Sequence, residues 1–150
     1  MRRFAMMLLV LGATTVGRAD EPEQAKGITE ISLRRTMCYG PCPVDKVVLR
    51  SDGTATYTGT SDVARLGTYE GKFSRWEFKR LAELLEARGF FEMRGRYLKP
   101  VTDNASVITR AVRGGKEKVV DNYAGAGPIE LWGIEMAIRG VVAEIEWKKK

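Results

Sequence analysis

The sequence predicts an α+β domain: a single antiparallel sheet of two or more hairpins, with two amphipathic helices packed on one face. Three observations predict this. Polar and apolar residues alternate over stretches of residues 30–58 and 105–123, which is the period of a half-buried strand. Asp52-Gly53 and Gly114-Gly115 interrupt those stretches, and such pairs supply the positive φ that tight hairpins need. Two segments, near 75–88 and 128–146, carry apolar residues at helical spacing instead.

Taken in order, the chain opens on Arg2 and Arg3. An apolar or small run of about thirteen residues follows, and Gly17-Arg18-Ala19 places small residues where a signal peptidase cuts. Residues 1–19 are therefore expected to be a signal peptide. The run is well short of the roughly 20 residues that span a bilayer. Residues 20–27 are polar and read as a flexible lead-in, and 28–147 as the single α+β domain. Glu30–Arg34 alternates as a strand. Val44–Arg50 and Thr54–Thr58 flank Asp52-Gly53 as a hairpin, read as type I′. Gly67–Phe73 is a further strand.

Ser74 and Glu77 form a capping box for the first helix, with Phe73 and Phe78 as its hydrophobic staple. Phe78, Leu81, Ala82 and Leu85 make its buried stripe, and Gly89 supplies the left-handed residue that ends it. Phe91–Asn104 reads as irregular. Ala105–Val112 and Glu117–Tyr123 pair around Gly114-Gly115. Pro128 fits the first helical position, and Leu131, Ile134, Ile138, Val141 and Ile145 form one seam. Gly133, Ala137 and Gly140 lie beside that seam and are expected to let the helix approach the sheet closely. Lys148–Lys150 is read as a solvated basic tail.

Charge and composition narrow the function. Removing Arg2, Arg3 and Arg18 with the leader takes Lys+Arg from 25 to 22 against 19 carboxylates, so the net charge falls from +6 to +3. Nucleic-acid binding calls for a concentrated basic stripe; the terminal lysines are the only run, so no nucleic-acid partner is expected. No later segment is apolar enough to span a membrane. The chain has no histidine. That removes Ser-His-Asp and Cys-His catalysis and every histidine metal site. Gly67–Phe73 has the wrong spacing for a phosphate loop. No motif implies a cofactor.

The chemical landmark is Arg35-Thr36-Met37-Cys38-Tyr39-Gly40-Pro41-Cys42-Pro43. Two cysteines in an exported chain favour a disulfide, and Gly40-Pro41 turns the loop back. Closing so short a loop is worth about 2 kcal/mol by chain entropy. This segment resembles a bacterial exported family of unknown function marked by Leu-x-Arg-Ser/Thr-x-Cys-x-Gly-x-Cys-Pro, here Leu33 to Pro43. The likeness continues through Asp52-Gly53, Tyr57-x-Gly59, Phe90-Phe91, Thr102-Asp103 and the strand from Gly115 to Tyr123. Such sequences carry an aromatic two residues after Cys-Pro, where this chain has Asp45. The resemblance implies export and a stable fold and brings no established activity.

The cysteines admit sharper chemistry. Thiol–disulfide exchange needs a thiol activated by cations or a helix N-terminus; Arg34 and Arg35 are near, but the pair lies between strands. Met37, Cys38 and Cys42 offer a soft donor set suited to Cu(I). The reading adopted is a non-catalytic, exported binding domain, periplasmic or extracellular and monomeric, that recognises a protein or cell-envelope component. Arg35, Tyr39, Tyr97 and Asp103 are its candidate contact surface. Envelope thiol-redox or copper handling is the other reading.

Overall fold

The computed structural model describes residues 27–150. The signal peptide, its cleavage site and all but the last residue of the lead-in lie outside them. Eight strands form one sheet: β1 (Ile28–Arg35), β2 (Val44–Arg50), β3 (Thr54–Ser61), β4 (Gly67–Lys72), β5 (Arg96–Tyr97), β6 (Ser106–Arg113), β7 (Lys116–Tyr123) and β8 (Lys148–Lys149). Helix α1 (Arg75–Ala87) follows β4, and α2 (Ile129–Glu144) follows β7. The strand order is β5-β7-β6-β1-β2-β3-β4-β8.

The class is α+β, but the expectation of a purely antiparallel sheet is wrong. β5 runs parallel to β7, with Arg96 opposite Asp121 and Tyr97 opposite Asn122. The cause is the return path after α1. A 3₁₀ turn at Phe90–Glu92 carries the chain to the outer side of β7, where Asp121 N–H donates to the Gly95 carbonyl. Arg96 pairs with Asp121 at 3.1 Å. Two residues show no periodicity, so nothing in the alternation of Phe91–Asn104 marks this strand.

Register decides which side chains meet. Ile31, Leu49 and Ala55 lie in one row across β1, β2 and β3, and Leu33, Val47 and Tyr57 in the next. Ala111, Thr109 and Val120 extend the rows through β6 and β7. Phe78, Leu81 and Leu85 of α1 and Leu131, Ile134 and Ile138 of α2 join the same buried cluster. Both helices therefore cover one face. The opposite face carries a charge ladder instead: Glu30 pairs with Arg110 and lies 3.8 Å from Arg50, and Arg110 reaches Glu117 at 2.8 Å.

The start of α1 forms as its residues dictate. Trp76 N–H donates to Ser74 Oγ at 3.1 Å, Ser74 N–H donates to Glu77 Oε2 at 3.1 Å, and the Phe73 and Phe78 rings sit 6.4 Å apart. The two hairpins differ. Gly114 and Gly115 both have positive φ, which the two-residue type I′ turn requires. At Asp52-Gly53 only Gly53 does; its N–H donates to the Arg50 carbonyl, while Asp52 accepts from Thr54 N–H at 2.8 Å. This is a three-residue loop held by an aspartate turn, not type I′.

Three details of the C-terminal region also depart from the sequence reading. Pro128 is the N-cap residue of α2 rather than its first helical one. A Cβ added at Gly133 or Gly140 would meet nothing within 4 Å, so these residues do not bring α2 close to the sheet. The lysine tail has exposed side chains, yet its backbone pairs with β4, Lys149 opposite Tyr69 and Lys148 opposite Glu70.

One buried carboxylate interrupts the apolar seam of α2. Glu135 is 4% exposed; its Oε1 accepts from Asn122 Nδ2 at 2.9 Å, and Asn122 Oδ1 accepts from Gly127 N–H at 2.7 Å. This chain of bonds fixes the approach to α2. Burial pushes the Glu135 carboxyl above its ordinary 4.5, against the pull of Asn122 and the Arg139 charge. Below about pH 4.5 both folded and unfolded states are protonated and ionisation costs nothing; the cost grows as pH rises through the folded value. Glutamine mimics the protonated form and keeps the acceptor. E135Q is therefore expected to match the parent at about pH 4 and to exceed its stability at pH 7, as read by urea unfolding at the two pH values.

Candidate functional site

The alternation of β2 places Asp45 on the side of Val47 and Leu49, and that of β1 places Arg35 on the side of Leu33 and Ile31. Register then sets Arg35 directly opposite Asp45. A cation and a carboxylate thus face each other on the covered face, where the apolar rows end. Arg35 Nε donates to Asp45 Oδ1 at 2.7 Å, its terminal nitrogen pairs with Oδ2, and Tyr57 Oη donates to Oδ2 at 3.0 Å. The Arg35 side chain is 30% exposed and that of Asp45 11%.

The electrostatics follow from this packing. The hydrogen bond to Asp45 is the main cause that raises the Arg35 pKa above its ordinary value, against burial. The Tyr57 phenol is pushed up to about 12, first by burial and then by the Asp45 charge, with Arg35 and Arg65 pulling the other way. The Trp147 ring lies 5.6 Å from that of Tyr57, and its Nε1 donates to the Val142 carbonyl at 3.3 Å.

Above these groups opens a cleft of about 450 Å³. Its floor is the end of β1, the start of β2 and the middle of β3; its walls are the C-terminal half of α2 and the connection from β3 to β4. Arg65 and Arg139 face it, with Val142 and Trp147 on the apolar side. The β3–β4 connection reaches this position because residue 59 is glycine: a Cβ there would stand 1.8 Å from the Arg65 carbonyl oxygen. A second hollow, about 620 Å³, lies where β3, β4 and β8 meet and is lined by Arg50, Lys72 and the three terminal lysines.

The cysteine loop joins the strand ends that carry Arg35 and Asp45. Cys38 and Cys42 form a disulfide with Cα atoms 5.7 Å apart, inside the range such bridges favour. The loop is also tied to β6: Thr36 N–H donates to the Ser106 carbonyl, and Ser106 N–H donates back to Thr36 Oγ1 at 2.8 Å. With both thiols in the bridge, the donor set of Met37, Cys38 and Cys42 exists only after reduction. Met37 is 74% exposed.

The structure places the four candidate contact residues at three points of the fold. Tyr39 is 91% exposed, and its N–H donates to the Asp103 carbonyl at 3.0 Å, so these two meet at the cysteine loop. Arg35 turns inward to Asp45. Tyr97 lies in β5 at the sheet edge, where its hydroxyl accepts from Arg94 N–H at 3.3 Å. The sequence reading missed Asp45, Arg65, Arg139 and Trp147. For Asp45 a signal existed: a carboxylate with the parity of Val47 and Leu49 in an alternating strand has to face the core side. Arg65, Arg139 and Trp147 come from a loop, a helix and the chain beyond it, and no local pattern unites them.

Asp45 offers a direct check. D45N removes the charge that faces Tyr57 and Arg35. The Tyr57 pKa is expected to fall from about 12, yet to stay above 10 because burial is its largest cause, as followed through the Tyr57 ring carbon bearing the hydroxyl. Loss of the charge-assisted bonds is expected to cost about 2 kcal/mol in urea unfolding.

No curated protein matches the chain. The chain does match a domain of unknown function (DUF6438) over residues 29–142, and it belongs to that family.

Proposed function

We propose that the protein is an exported, non-catalytic binding domain whose ligand or partner docks at the cleft under α2, beside the stapled loop. The observation that supports this reading most is the cleft itself. It is open, it falls in the size range of ligand sites, and charged and aromatic side chains from four separate parts of the chain converge on it. The leader-like N-terminus and the disulfide support an oxidising compartment. No helix among the described residues is long and apolar enough to cross a membrane. In this reading the disulfide is a staple: it shortens the connection between the strand ends that carry Arg35 and Asp45.

The reading is tested in the native envelope with a photo-reactive residue at one of two exposed positions. Ala143 stands on the cleft lip; Lys116 stands at the β6–β7 turn. A discrete adduct from position 143, absent from 116 and lost when Arg139 is also replaced, is the expected result. No adduct from 143, or the same adducts from both positions, would contradict the cleft as the docking site.

A further inference from the structure

The lining of the cleft specifies more than a docking place. Three arginines line it, Arg35, Arg65 and Arg139, against two aspartates, Asp45 and Asp62. One positive charge is left uncompensated. Arg35 is engaged by Asp45 through two nitrogens, so the surplus belongs to Arg65 and Arg139. Asp62 is exposed. Glu135, one turn back from Arg139 on α2, feels the Arg139 charge but accepts from Asn122 and lies outside the cleft lining.

Arg139 carries the second observation. Its Nε is buried and has no hydrogen-bond partner among the described residues. Buried donors in native folds are nearly always satisfied, and an exception calls for an ion, a water or a ligand beyond the chain's own groups. The guanidinium is a planar fork that matches a carboxylate through two parallel bonds. Beside it, Val142 and the Trp147 ring offer an apolar wall.

We infer that the cleft takes a carboxylate borne on an apolar body, with the carboxylate between Arg139 and Arg65 and the body against Val142 and Trp147. This rests on the binding-domain reading above and gives it a ligand class. A single negative charge neutralises the cleft. A phosphate dianion exceeds that by one charge and faces Asp45 and Asp62 as well. An uncharged apolar molecule leaves Arg139 unpaired.

The probes are 4-phenylbutyrate, 4-phenylbutan-1-ol and 4-phenylbutyl phosphate. Each is titrated into protein expressed from the full-length chain and purified from the periplasm, at pH 8, following the Trp147 indole N–H and the Arg139 Nε–H by NMR. The carboxylate is expected to bind roughly tenfold tighter than the alcohol and tighter than the phosphate. R139M and R65M are each expected to weaken the carboxylate at least about fivefold and to leave the alcohol within about twofold. If R139M does not fold, R139K serves: it keeps the charge, loses the fork, and is expected to weaken the carboxylate about threefold.

Equal binding of alcohol and carboxylate, or no effect of the arginine variants, would overturn the carboxylate assignment and leave the cleft as a binding site. Tightest binding of the phosphate would overturn it in favour of a dianion. If no probe moves either resonance up to about 10 mM, an affinity too weak to be specific, the ligand class fails. Adducts from position 143 in the envelope then decide separately whether the cleft still docks a partner.

Discussion

Arg35 and Asp45 face each other on the covered side of the sheet, and much of the molecule's C-terminal end depends on that pairing. They are the last residues of the β1–β2 ladder before the cysteine loop. The Arg35 and Asp45 side chains are only partly open to water, so neither residue is easily left alone there; removing one partner of such a pair strands the other. Antiparallel register is set in part by the connection between strands, and here that connection is closed on itself by the disulfide. A one-residue slip of β2 against β1 would send Asp45 to the charged face and set Lys46 on the covered one beside Arg35. The closed loop and the ion pair favour the same register, one through chain entropy and one through charge.

From this pair the cleft follows. Tyr57 comes from β3 to share the Asp45 carboxylate, and Trp147 packs against Tyr57 as the chain returns from α2 to β8. Gly59, opposite Asp45 in the β2–β3 ladder, leaves room for the Arg65 backbone to pass overhead. Where the apolar rows end in charged groups, α2 has no continuous apolar surface to lie against. The space between helix and sheet stays open, lined by Arg139 and Val142. The opposite face is closed to such a site because its charges answer one another across the strands, Glu30 with Arg110 and Arg110 with Glu117.

Much of this was legible in the sequence, and the parts that were not share a cause. Alternation and turn pairs placed the long strands, and the capping box, staple and Gly89 placed α1, because each is a local signal a few residues wide. β5 and β8 escaped because two-residue strands have no period; tertiary pairing alone defines them. The disulfide was legible from the even cysteine count and the expectation of export. The environment of Arg35 was not: its parity with Leu33 and Ile31 sets it on the covered face, where Asp45 meets it. Glu135 and Arg139 were hidden within an apolar helix seam, and their significance comes from Asn122 and the cleft, groups far away in sequence.

In the reading proposed above, the Cys38–Cys42 bridge is a structural staple that holds Arg35 opposite Asp45. A redox titration of the protein, with the Arg35 Nε–H and the Tyr57 ring followed by NMR at each potential, tests it most directly. The expected result is a midpoint below about −300 mV, where structural disulfides lie, and a loss of the Arg35 and Tyr57 signals from their native positions as the bridge opens. A midpoint between roughly −120 and −200 mV, in the range of oxidising thiol proteins, with both signals unmoved on reduction, would contradict it and make the cysteine loop itself the working site.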